Sequence, residues 1–237
     1  MTLLTLLSAA SQAETLPAPP DLAGTWHIQL TIVNSAKVPV LGPTEIRTIT
    51  TLLATVTPDG AGGWRQHHTT CQIDPQSGLK VAQTAIPQPF VDAIGDKNYT
   101  PKLTVDGGAW TYTADFGAQH IAYDPARSGG RPPQTDDHPA LIDFEGDGRP
   151  GATIHLQVPV FGQVEVYITQ LAHTRIAGPF VTPDRIAGPI QVVALEQRSI
   201  GAKPGIFASN PEVTHQPDKS VFFMQRVAPG TTCETLL

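Results

Sequence analysis

Gly24-Thr25-Trp26-His27-Ile28-Gln29-Leu30-Thr31-Ile32 is the stretch on which the fold turns. Trp26, Ile28, Leu30 and Ile32 alternate with Thr25, His27, Gln29 and Thr31. Successive side chains of an extended chain leave on opposite faces, so this period sends an apolar row one way and a polar row the other. It predicts a half-buried strand. Residues 45–57 repeat the pattern in Thr, Ile and Val and stop at Pro58-Asp59-Gly60, a turn sequence backed by Gly62 and Gly63. Residues 64–73 are polar but strand-compatible. Segments 103–105 and 109–116 flank Asp106-Gly107-Gly108, a hairpin signature, and 152–158 with 163–171 predict another hairpin around 159–162. Residues 221–227 supply a last strand.

The remainder is less periodic. Residues 118–140, with Gly129, Gly130, Pro132 and Pro133 inside them, read as a long loop, and long loops in compact domains are often functional. One or two helical turns are expected at 89–94 and at 194–200. Arg175-Ile-Ala-Gly-Pro-Phe180 recurs as Arg185-Ile-Ala-Gly-Pro-Ile190. Two copies are too few to stack into a solenoid, so they predict two similar strand-and-turn units. With 21 Gly and 23 Pro in 237 residues, the chain must turn often. The fold class expected is all-β, an antiparallel barrel or a β-sandwich with long loops and little helix.

Residues 1–13 form a short apolar run ending in small residues, with Ser11 and Ala13 where a signal peptidase reads. The expectation is an export signal over 1–13, a Pro-rich linker over 14–22 and one β domain over 23–237, hence a secreted or periplasmic protein. No segment is long and apolar enough to cross a bilayer as a helix. The formal net charge of −6 leaves no basic footprint for nucleic acid. Cys71 and Cys233 are the two cysteines of the chain, and an isolated pair in an oxidising compartment most simply forms one disulfide.

Asp143-Phe-Glu145-Gly-Asp147-Gly-Arg149-Pro-Gly151 carries the sharpest local chemistry. Acidic oxygens at alternating positions ahead of glycines converge when such a loop curls around a hard cation. The stretch resembles the Asp-x-Asp-Gly-Asp-Gly calcium loops of EF-hand-like and dockerin-like modules and of β-propeller repeats. That resemblance implies a structural calcium held by the side chains of Asp143, Glu145 and Asp147 and the carbonyl of Arg149, with Asp136 and Asp137 as the nearest completing ligands. Gly146, Gly148 and Gly151 also match a dinucleotide glycine pattern, but Asp147 would repel a pyrophosphate and Pro150 lacks an N–H. Eight histidines show no zinc-binding spacing, and adjacent His67 and His68 point to opposite faces of a strand. No Gly-x-Ser-x-Gly elbow occurs, and Asn98-Tyr99-Thr100 is a glycosylation sequon.

Gly24-Thr25-Trp26 is similar to the Gly-x-Trp opening of lipocalin-type barrels. The resemblance implies that Trp26 closes a barrel floor, that an arginine, Arg175 or Arg226, packs on it, and that a disulfide ties the C-terminal region to a strand of the first half, where Cys71 stands. It also implies a cavity lined by Trp26, Ile28 and Leu30, holding a small apolar ligand. The first functional expectation is therefore an exported, non-enzymatic binding protein. Alternatives are a calcium-stabilised β-sandwich serving as an interaction or surface module and a secreted hydrolase or cyclase with 118–140 as a lid.

Overall fold

In a computed structural model of the chain, residues 18–38, 42–78, 83–106 and 108–237 are described. The expected export signal, 1–13, and the linker residues 14–17 lie outside them. The elements run β1 (Gly24–Val38), β2 (Gly42–Pro58), β3 (Trp64–Ser77), β4 (Gln83–Ala85), α1 (Gln88–Ile94), β5 (Lys97–Tyr99), β6 (Lys102–Asp106), β7 (Ala109–Ile121) and α2 (Pro125–Ser128). They continue as β8 (Ala152–Val158), β9 (Gly162–Thr182), β10 (Arg185–Lys203), β11 (Glu212–His215), β12 (Val221–Val227) and α3 (Cys233–Leu236). The fold is all-β, as the alternation demands: a strongly curled antiparallel sheet closing part-way into a half-barrel. No helix among the described residues is long and apolar enough to cross a membrane.

The sheet runs in the order β4-β8-β9-β10-β12-β1-β2-β3-β5, with β7 joined to β9 and β6 to β7. Strand β9 is its spine. On one edge it pairs with β10; on the other it pairs first with β8, as far as Ile168 opposite Ala152, and then with β7, from Gln170 opposite Ile121. Both predicted hairpins form, with Asp106 opposite Ala109 and Val158 opposite Gly162.

The Arg-Ile-Ala-Gly-Pro copies lie on neighbouring strands of one hairpin, turning at Pro183-Asp184. Gly178 and Gly188 face each other there. A Cβ on Gly178 would lie 2.2 Å from the Ala187 carbonyl oxygen, and one on Gly188 would lie 2.2 Å from that of Ala177. The repeat thus marks a crossing too tight for any side chain. One expected turn, 89–94, is found as α1; the other, 194–200, is a correction. Those residues belong to β10, and bulges between Val192 and Ala194 and between Ser199 and Gly201 break the two-residue period that would have identified a strand. Residues 118–121 likewise belong to β7, so the irregular segment begins at Ala122.

Two apolar clusters fill the interior. The larger gathers Trp26, Ile28 and Leu30 with Leu52, Tyr112, Ile186, Phe222 and Met224; the smaller joins Phe90 of α1 to Ile121, Ile154, Val164 and Ile168. The three residues named for a ligand cavity, Trp26, Ile28 and Leu30, lie in the larger cluster. Trp26 and Ile28 are 0% exposed and Leu30 7%, so no void that water could enter touches the first two. Alternation identified the inward face, but the opposite wall fills the space. Cys71 and Cys233 form a disulfide with Cα atoms 5.1 Å apart, fastening α3 to β3.

Candidate functional site

The half-barrel leaves a seam. Strand β5 pairs with β3 through Gln66, His67 and His68, while β7 pairs with β9, and β5 and β7 face each other without a ladder between them. Side chains bridge the gap instead: the Tyr99 and Phe116 rings lie 4.8 Å apart, and Gln119 Nε2 donates to the Tyr99 hydroxyl oxygen at 3.0 Å. Beside this bridge lies a cleft of about 330 Å³, walled by β5, β7, the C-terminal end of α1, Tyr123, Pro125 and Phe144. Tyr99 packs against the larger apolar cluster, whereas Ile94, Ile121 and Phe144 belong with the smaller. The cleft is where two cores meet without merging.

Local backbone shapes this wall. Strand β7 bulges between Asp115 and Ala118, with Gly117 at φ +64, which shifts the inward row from Phe116 toward Gln119 and Ile121. Ala122 follows in the left-handed region at φ 66 while 1% exposed. A non-glycine residue held there costs on the order of 1 kcal/mol or more and persists only where the surroundings enforce it. Tyr123, next along, is 2% exposed, and its hydroxyl is buried without a hydrogen-bond partner.

Behind the aromatic bridge runs a buried polar chain. The Tyr112 hydroxyl donates to Gln66 Oε1 at 2.6 Å, and Gln66 Nε2 lies 2.5 Å from His68 Nε2. Because the Gln66 oxygen is the acceptor for Tyr112, its amide nitrogen must donate, so His68 accepts at Nε2 and carries its proton on Nδ1. Burial, with a smaller contribution from neighbouring His67, pushes His68 down to about 3, and the imidazole is neutral at physiological pH. Burial also drives Tyr112 upward and Tyr99 up to about 12. The His68 ring stands edge-on to Tyr99 at 4.7 Å and to Phe116 at 5.2 Å, fixing both against the cleft. His67, on the opposite face, reaches Asp96 at 3.3 Å and Asn98 at 3.1 Å.

The acidic loop serves its own backbone. Asp143 accepts from the N–H groups of Asp147 at 3.0 Å and Gly148 at 2.9 Å, and Asp147 accepts from Arg149 N at 2.8 Å and Thr153 Oγ1 at 2.8 Å. Glu145 takes Thr153 N through Oε1 at 2.5 Å, leaving Oε2 buried without a hydrogen-bond partner, and burial raises its carboxyl above the usual range. Among the described residues no group of three or more His, Cys, Asp or Glu side chains is arranged to hold a metal. Asp136 and Asp137 stand exposed, with Asp137 accepting from Thr135. On the outer face, Asp115 holds His173 and Arg175, each at 2.6 Å, and Arg175 draws its carboxyl well below the usual range. Of the two arginines weighed for Trp26, Arg226 lies over its ring and Arg175 belongs to this outer cluster.

Sequence reading missed the cleft. Tyr99 and Asn98 sat in a sequon, and Gln119 and His120 sat at the start of a supposed loop. The one available signal was the aromatic pair Tyr99 and Phe116 on either side of the 106–109 hairpin, which that turn folds into proximity. No protein-family model matches the chain, and no curated protein matches it. Among solved structures, it is similar to DynF from the dynemicin biosynthesis pathway of Micromonospora chersina, at 11% identity and a TM-score of 0.29 over 94% of this chain and 95% of that one. A likeness of that degree carries no inference about function.

Proposed function

We propose that this is an exported binding protein that holds a small, ring-bearing ligand in the cleft between β5 and β7. One observation carries the reading: a cleft of about 330 Å³ with aromatic walls and a few convergent polar groups at the seam of the half-barrel. Ligand sites in β folds favour such openings, and this volume, at the lower end of the usual range, suits one or two rings. Export is supported by the disulfide, which persists in oxidising compartments. The test is titration with a neutral naphthalene fluorophore. It should bind the unaltered protein with a blue-shifted emission and lose its site in Ala118→Trp, which fills the cleft, with the melting temperature preserved. Equal binding by both proteins would place the probe elsewhere and remove the proposal.

A second reading, a calcium-stabilised interaction module, draws on Glu145, whose buried and unpartnered Oε2 a cation would satisfy. Calcium should then raise the melting temperature, chelator should lower it, and Asp147→Ala should abolish both effects. A melting curve indifferent to calcium and chelator sinks it.

A further inference from the structure

The free hydrogen-bonding groups at the β5 side of the cleft are donors. Lys97 is the one Lys or Arg among the residues lining the cleft, no Asp or Glu joins it there, and it makes no ion pair among the described residues. Asn98, between Lys97 and Tyr99, turns its side chain to the opposite face, where its Oδ1 accepts from His67 Nδ1 at 3.1 Å. The Tyr99 oxygen accepts from Gln119 at 3.0 Å, which leaves its own O–H proton available, and burial keeps that phenol protonated at neutral pH. An ammonium and a phenol hydrogen thus meet at one rim of an aromatic-walled space. A cationic ligand would meet the like charge of Lys97 there. One cation with one neutral donor suits a monoanion better than a phosphate dianion.

We infer that the cleft takes a small aromatic acid, its ring against Tyr99, Phe116 and Phe144 and its carboxylate toward Lys97 and the Tyr99 hydroxyl. This rests on the cleft being the ligand site, and a matched series separates the two claims. Naphthalene-2-carboxylate, neutral 2-naphthamide and cationic 2-naphthylmethylammonium are titrated by calorimetry into the full chain and into Lys97→Gln. The carboxylate should bind about tenfold or more tighter than the cation. Lys97→Gln should weaken the carboxylate about fivefold, the upper end for an exposed ion pair, while leaving the amide unchanged. A cation that binds as well as the acid, or an acid indifferent to Lys97→Gln, overturns the ligand class while a bound amide keeps the cleft. Failure of all three compounds to bind overturns both.

Discussion

The guanidinium of Arg226 lies 4.3 Å from the centre of the Trp26 ring and ties the last strand to the chain entering the first. Its NH2 donates to the Asp21 carbonyl at 2.7 Å, its NH1 donates to the Ala23 carbonyl, and its Nε meets Asp184 at 2.7 Å. A planar fork over an aromatic face makes these contacts together, which a lysine cannot do.

Arg226→Ala should therefore cost about 2–3 kcal/mol, and Arg226→Lys should recover less than half of that loss. Urea unfolding followed by tryptophan fluorescence measures both, since Trp26 reports on the same contact.

Breaking the Cys71–Cys233 bond releases a constraint spanning 162 residues. Cys233→Ser should lower stability by up to about 5 kcal/mol in the chain-entropy description, with native-state contacts little changed. The comparison is one of urea midpoints for the oxidised protein, the reduced protein and the variant.

His68 makes stability depend on acid. Its folded pKa, about 3, lies below the unfolded value, so between the two the unfolded chain binds the proton that the folded one refuses. Stability from this group is complete above pH 6.5 or so and falls as pH drops toward 3, by about 2 kcal/mol at pH 5. His27 and His215, also lowered by burial, add in the same direction. Unfolding titrations at pH 7 and pH 5 should show this slope, and His68→Gln should flatten it. A wild-type protein equally stable at both values would contradict a neutral, buried His68.

Two glycines test space against backbone conformation. Gly178→Ala drives a methyl into the Ala187 carbonyl and should cost about 3 kcal/mol or more. Gly117→Ala meets nothing within 4 Å but must hold φ +64, and should cost about 1 kcal/mol. Thermal melts of the two variants give the order.

Local period made much of the fold legible, and its interruptions hid the rest. The Trp26 to Ile32 alternation, the turn at Pro58-Asp59-Gly60 and the two hairpins are short-range features, and each appears where the residues put it. The end of β10 escaped because bulges shift side chains between faces, so Ala194 to Ile200 lacks the two-residue rhythm. Strand β5 escaped because three residues are too few to show one. The cleft depends on both failures, since Tyr99 comes from that short strand and Gln119 follows a bulge. The core at Trp26 teaches a different lesson: a strand's own residues say which row turns inward, and only the residues across from it decide whether space remains.

The divided edge of β9 has a mechanical consequence. Thr169 stands between the last pair with β8 and the first pair with β7, fully buried, its hydroxyl donating to the Pro133 carbonyl at 2.8 Å. Because β7 and β8 share a spine but no rungs, a load on one prong of this fork reaches the other through β9.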